Sequence, residues 1–402
     1  MAATTATTGR SRGAPAGERP GTRETPVVVM GVASRRWVLV AWSAVAGMPG
    51  DSGTVPRHTT RCPWKGPTCR WAIGAAIGSA TVARTDQPPS ADGPITVIAG
   101  GVGAARMLAA LLEVVPAPQV TAVANVGDDL VLHGLHISPD LDTVTYTLAG
   151  QINPETGWGL AGETWQAMET LGRYGGVDWF NLGDRDLGTH LYRTHRLHQG
   201  ASLTEVTAEI VAAWDLGIRL LPVTDDHLRT MVTLAEGPDA GREVTFQEYF
   251  VQRRHSVAVS GVRFDGAEAA TPGPDVLAAI DGAARVVIAP SNPVVSIDPV
   301  LAVPGVRTHL EAARERTVAV SPIVAGAALK GPADRLLREL GHEATVVGIA
   351  RWYAPIAATL VIDEADAHLA PAVAAEGIEP VVTRTIMKEP GVAASLARVV
   401  LA

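Results

Sequence analysis

The sequence predicts an α/β protein: a doubly wound, mostly parallel sheet with a smaller inserted section. Three observations carry that reading. From Pro94 onward, short β-branched apolar runs end in polar or small residues, and stretches with helical apolar spacing separate them. Strand and helix alternating in this way make βαβ units, hence parallel strands. The polar motifs fall just past the carboxyl ends of the predicted strands, where open α/β sheets bind their ligands.

The elements follow in chain order. "ITVIAGG" is a strand ending in glycines, "AARMLAALLEVV" has helical spacing, and "QVTAVANVGDD" is a second strand ending in polar residues. "TVTYTLAG" reads as a helix. The helical stretches "TWQAMETLGRYG" and "SLTEVTAEIVAAWDLG" belong to the inserted section, placed near 151–265, or cover the site. In that section "MVTLAEG" and "REVTFQEYFVQRR" alternate like antiparallel strands joined by a turn. "PDVLAAIDGAA" and "PADRLLRELG" are helical. "ARVVIAPSNP", "RTVAVSPIVAG", "EATVVGIA" and "ATLVIDEAD" each read as a buried strand running into a loop. The whole is a Rossmann-like domain over 94–402.

Residues 1–93 are rich in Ala, Thr, Gly, Arg and Pro and show no sustained period, so they read as a disordered extension. "SRRWVLVAWSAVAGMPG" has the grammar of an export signal, but its arginine pair begins only at position 35. A start placed too far upstream, with the true one near Ile95, accounts better for the extension. The two cysteines, Cys62 and Cys69, lie there without the further ligands that a metal clip needs.

Composition excludes two classes of partner. A net charge of −8 leaves no basic excess for a nucleic-acid backbone. No apolar run reaches the roughly 18 residues that a membrane span requires. A cytoplasmic protein fits the scarcity of cysteine.

Four motifs remain as candidate chemistry. In "AGGVGAAR", Gly100, Gly101 and Gly103 sit between strand and helix, where a backbone approaches a phosphate or makes a structural turn. The dinucleotide fingerprint is only partly met: Arg106 takes the third glycine position counted from Gly101, and Asn125 stands where an acidic residue would close the second strand. Next comes "NVGDDLVLHGLHISPDLDTVTYTLAG", with Asp128, Asp129, Asp140 and Asp142 and no lysine or arginine to pair them. Such a cluster suits a hard divalent cation, whereas Asp140 or Asp142 alone suits a helix cap. "NLGDRDLGTH" carries Asn181, Asp184, Arg185 and Asp186, either a bidentate anion grip or an exposed ion-paired turn, with His190 and His195 nearby. Finally, Ser291 and Asn292 in "APSNPVVSI", with Ser321 and Lys330 in "SPIVAGAALKGPA", suit a nucleotide phosphate, and Lys330 equally suits a surface position.

These motifs, with "LLPVTDD" and "FQEYFV", occur in the order found in the 2-phospho-L-lactate transferase family of deazaflavin coenzyme F420 biosynthesis. The chain resembles its actinobacterial, phosphoenolpyruvate-transferring branch from Ile95 to the C-terminus. The resemblance implies a guanosine-diphosphate ester of enolpyruvate or lactate as donor, and the ribityl 5′-hydroxyl of the deazaflavin Fo as acceptor. It also implies release of GMP, a need for Mg²⁺, and a homodimer. On this reading Asp128 and Asp140 serve the metal, and Asp142, with Asp128 the catalytic pair, orients the acceptor hydroxyl. Asn125, Asn181, Asp184, Arg185 and His190 belong to the substrate site, and Gly101, Gly103, Ser291 and Asn292 face the guanosine diphosphate. Ser321 and Lys330 complete the set, and Trp158 and Trp165 are candidates to stack on the deazaflavin ring. The rivals are a nucleotide-sugar-binding regulator of similar fold and an NAD-dependent oxidoreductase.

Overall fold

The structure is a computed structural model, and it describes residues 93–402. The readings of the N-terminal stretch, its export-like segment and its cysteines lie outside the described residues.

Seven strands form one parallel sheet. We number them β1 (Ile95–Ala99), β2 (Val120–Ala124), β3 (Arg219–Pro222), β4 (Arg285–Ile288), β5 (Thr317–Val320), β6 (Thr359–Ile362) and β7 (Glu379–Val382). Their order across the sheet is β3-β2-β1-β4-β5-β6-β7, with every adjacent pair parallel. The chain winds outward from β1 to β3, then returns to the other side of β1 with β4. The crevice where the order reverses, between β1 and β4, is the ligand position of doubly wound sheets. All five residues of β1 and of β2 are buried, as a strand covered by helices on both faces requires.

Helix α1 (Gly101–Leu112) follows β1 directly and packs against α2 (Pro139–Leu148) and the C-terminal helix Val392–Leu401. Between β2 and β3 lie a short hairpin (Leu130–Leu132 with Leu135–Ile137), α2, α3 (Gln166–Arg173), α4 (Asp186–His198) and α5 (Leu203–Ala213). α5 begins with a capping box: Ser202 and Glu205 each satisfy the other's backbone N–H. Between β3 and β4, the strands Arg229–Leu234, Glu243–Thr245 and Val259–Asp265 form a small antiparallel sheet. The section placed near 151–265 is therefore divided in two by β3, a member of the central sheet.

Two element readings are corrected. "EATVVGIA" is not a strand: Val346–Tyr353 is a helix, and the Thr345 hydroxyl caps it by accepting from the Gly348 N–H at 3.3 Å. A short helix buried along one face and a buried strand can show the same apolar run. "REVTFQEYFVQRR" stops being a strand at Thr245 and continues as a π-helical turn, Glu248–Gln252. The predicted strands at β1, β2, β4, β5 and β6 are present.

Candidate active site

A cavity of about 820 Å³ opens over the carboxyl rim of the sheet and spans the crevice between β1 and β4. Its floor is the glycine turn. Gly101 adopts φ +67°, in the left-handed region that favours glycine, and a Cβ on Gly103 would be driven into the carbonyl oxygen of Pro290 after β4. Ser291 Oγ locks the same junction by donating to the Gly100 carbonyl at 2.7 Å.

On the β2 side the wall is acidic. Asp140, at the first turn of α2, reaches across to cap α1: its Oδ1 accepts from the Gly101 N–H and its Oδ2 from Asn125 Nδ2, each at 2.9 Å. A carboxylate there complements the positive end of the helix. Burial still pushes Asp140 up to about 6, against those two hydrogen bonds. Asp128 is raised well above the carboxylate range by burial, and then by the charges of Asp140 and Asp129. Its Oδ1 is enclosed and has no hydrogen-bond partner. Asp129 turns away from the cavity and accepts from Ser138 Oγ at 2.7 Å, and burial pushes it up to about 8.

Asp142 is not a free carboxylate. Arg193 of α4, fully buried, grips it with both guanidinium nitrogens, NH1 to Oδ2 at 3.2 Å and NH2 to Oδ1. The missing counter-charge of the aspartate cluster is thus supplied from fifty-one residues away. His190 stands between two carboxylates, with Nδ1 3.7 Å from Asp142 and Nε2 3.3 Å from Asp186, the latter poorly aligned for a hydrogen bond. Burial alone would raise Asp186, but His190, the Tyr146 hydroxyl at 2.6 Å and Arg193 hold it below its usual value.

Basic side chains share the lining: Lys330 and Lys388 follow β5 and β7, beyond β4, Arg106 comes from α1, and Arg254 enters from the segment after the π-helical turn. Burial, then Arg106 and Lys388, lower the pKa of Lys330. Aromatic rings complete the lining: Tyr146, Trp158, Trp179, Phe180, Phe246 and Phe250.

Several expected residues are elsewhere. Asp184 caps α3 by accepting from the N–H groups of Gln166 and Ala167, at 3.1 and 3.0 Å, and from Thr164. Arg185 bonds the Ala161 carbonyl and borders a separate groove along α4 and α5. Neither lines the cavity, because α4 begins at Asp186 and turns the preceding pair outward. Asn125 is buried behind the wall and serves Asp140. His195 is exposed on α4, beside Gln199. Trp165 packs edge-on against Trp158 and is not a lining residue. Asp142, Asn181, His190, Ser291, Asn292, Ser321 and Lys330 do line the cavity, as do Gly101, Gly103, Asp128 and Asp140. The Gly101 N–H, expected to face a phosphate, is occupied by Asp140. Asn292 Oδ1 accepts from the Val294 N–H, and Ser321 Oγ bonds both backbone groups of Ile323, so both also shape their own turns.

The family model described as "2-phospho-L-lactate transferase CofD" matches residues 95–400. The chain belongs to this family. Among its relatives, a phosphoenolpyruvate transferase of Nocardia farcinica is 42% identical over 316 residues, 78% of this chain and 95% of that protein. One from Kitasatospora aureofaciens is 43% identical, covering 77% and 97% of the two chains. The fold is also that of a solved Bacillus halodurans protein, at 17% identity and a TM-score of 0.52, over 77% of this chain and 99% of the other. The CofD-family chain is therefore a transferase whose cavity is lined by both acidic and basic side chains.

Two sets of residues could hold a metal. Asp142, Asp186 and His190 bring ligand atoms within 4.8 Å of one another, the one such group of three among the described residues. Arg193 already occupies both oxygens of Asp142, and its charge opposes a cation there. Asp128 and Asp140 fit a hard cation better: both face the cavity, they repel each other, and Asp128 Oδ1 has no partner.

Sequence reading missed Arg193, Arg106, Arg254 and Lys388. Arg193 lies three residues beyond His190 on the same helix, one turn on, which was a usable signal once α4 was placed. Arg106 stands in the glycine motif, where the sequence shows it only as a departure from the dinucleotide fingerprint, and Arg254 and Lys388 lie in segments with no motif of their own.

Proposed function

We propose that this chain moves a phosphoenolpyruvyl group from a guanosine-diphosphate donor to the ribityl 5′-hydroxyl of Fo. The reaction releases GMP and forms the dehydro form of coenzyme F420-0. The names carried by the chain's relatives support enolpyruvate over lactate. The single observation that carries the reading is the cavity's lining, in which Asp128, Asp140, Asp142 and Asp186 share one space with Arg106, Arg254, Lys330, Lys388 and six aromatic rings. Six of its lining residues are aromatic in a chain with only 4% Phe, Trp and Tyr. That concentration suits a flat polycyclic acceptor.

Asp128 and Asp140 would hold Mg²⁺. When bound, the ion supplies charge neutralisation on the diphosphate. Asn181 and His190 line the acceptor side. Asp142 shares its lone pairs with Arg193, so what it offers the hydroxyl is orientation. Gly103, Ser291 and Asn292 border the nucleotide. Water competing with the acceptor hydroxyl would hydrolyse the donor, and the aromatic walls disfavour its entry. An NAD-dependent oxidoreductase is disfavoured, because Asn125 is buried and engaged with Asp140 and the Gly127 N–H. Among the described residues no helix is long and apolar enough to cross a membrane; a cytoplasmic setting and a homodimer are part of the same proposal.

The test is incubation with Fo, Mg²⁺ and the enolpyruvyl or lactyl guanosine donor, followed by mass analysis. Dehydro F420-0 and stoichiometric GMP are expected from the enolpyruvyl donor. No Fo-derived product from either donor would refute the proposal.

A further inference from the structure

We infer that Arg106, Lys330 and Lys388 form an anion subsite that receives the phosphate of the departing guanylate, an assignment that rests on the proposed transfer to Fo. Three separate elements bring these residues to one side of the cavity: α1, the loop after the short hairpin of Ile323–Val324 and Ala327–Ala328, and the loop after β7. All three line the same cavity, where burial first, and then Arg106 and Lys388, disfavour the charge on Lys330. Like charges gathered this way cost free energy unless an anion joins them.

No protein anion does. Among the described residues none of the three makes an ion pair, whereas Arg193, Arg253, Arg263 and Arg351 each hold a carboxylate. The one hydrogen bond Lys330 makes is a long one, 3.4 Å, to the Thr156 carbonyl. The chain carries 41 acidic residues and a net charge of −8, so counter-ions are plentiful and this cluster lacks them. Two of the three lysines in the whole sequence are spent here. An ammonium on a flexible stem is suited to a phosphate, whose charge is spread over several oxygens.

Position assigns the role. The aspartates of the cavity lie in the connection that follows β2, whereas Lys330 and Lys388 follow β5 and β7, on the other side of β1 in the sheet order. In the transfer, the acceptor oxygen forms a bond to the phosphorus bearing the three-carbon acid. The bond from that phosphorus to the bridging oxygen breaks, and its electron pair stays with GMP. The hydroxyl proton passes to solvent or to a basic group beside it. Negative charge thus grows on the guanylate phosphate as the bond breaks, and cations placed there stabilise the transition state more than the bound donor.

The experiment measures GMP and inorganic pyrophosphate binding by calorimetry in EDTA, for wild type, Lys330→Gln, Lys388→Gln and the double variant. Both lysines are largely exposed, so melting temperatures should match wild type, and if the double variant fails to fold the single variants decide. Each substitution is expected to weaken both ligands about tenfold, the value of one charge-assisted hydrogen bond. Product inhibition by GMP should relax in parallel, while Fo binding, read by its fluorescence, stays unchanged. Unaltered affinity for GMP and pyrophosphate in the double variant would overturn the assignment. The two readings fail separately. Pyrophosphate binding lost with the lysines, but no product from Fo, sinks the transferase proposal and leaves the anion site. Product formation with lysine variants that hold GMP undiminished does the reverse.

Discussion

Arg193 offers the sharpest test of the acidic wall. Its side chain is 2% exposed and Asp142 is 8% exposed, so their pairing is shielded from solvent. Replacing Arg193 with Met keeps the volume and removes the charge. Asp142 is then left buried and uncompensated, with Asp186 on the other side of His190. Breaking one partner of a buried pair costs about 3–5 kcal/mol. At roughly 2–3 °C per kcal/mol for a domain of this size, Tm should fall by about 6–15 °C. Arg193→Lys keeps the charge and loses the two-pronged grip, so it should recover part of that loss. Asp142→Asn should be costly alone, and the double variant with Arg193→Met should be less destabilised than the sum, with a coupling of at least about 1–2 kcal/mol. Thermal and urea unfolding of the four proteins provide the cycle. A Tm change under about 2 °C for Arg193→Met, or strict additivity, would refute the buried pairing. GMP release by Asp142→Asn at saturating Mg²⁺ is the companion assay, and near-wild-type turnover there would remove Asp142 from the reaction.

Other outcomes follow from single contacts. Gly103→Ala should destabilise by about 2 kcal/mol or more, because the new methyl meets the Pro290 carbonyl. Gly188→Ala, mid-α4 and facing open space, should stabilise by about 0.5–1 kcal/mol, and thermal melts compare the two. Asp129 has a folded pKa of about 8, above its unfolded value of about 3.8, so wild-type stability should decline as pH rises between them. In Asp129→Asn that decline should shrink, and equal pH profiles of Tm would contradict the enclosed Oδ1. Carboxylates must lose their protons to bind Mg²⁺, and Asp140 sits near 6. Calorimetric Mg²⁺ affinity should therefore fall by at least about tenfold per pH unit below 6, and a flat profile from pH 5 to 8 would exclude Asp140 as a ligand.

The parallel sheet was legible because its inner strands are buried on both faces and stand out as unbroken apolar runs beside glycine or polar ends. The strands β3 and β7 were not, for a physical reason. Pro222 closes β3, and Pro380 lies within β7, whose residues are half-buried or exposed at the sheet edge. Proline in a strand argues against it unless the edge position is known. The acidic half of the cavity was legible because its aspartates are close in sequence. Of the basic side chains only Lys330 was legible, because Arg106 and Lys388 come from distant segments that the fold alone brings to the same cavity. Asp184 and Arg185 show the converse: in a motif whose Asn181, Asp186 and His190 line the cavity, one caps α3 and the other bonds a carbonyl.

The direction of the strands has a practical bearing. Every lining group sits at their carboxyl ends, so the turns that lead into them, such as Arg314–Arg316 before β5, lie on the far rim. A fluorophore or a surface tether attached through that rim would leave ligand entry unobstructed. Immobilised protein held there should keep the donor and acceptor affinities of the free enzyme.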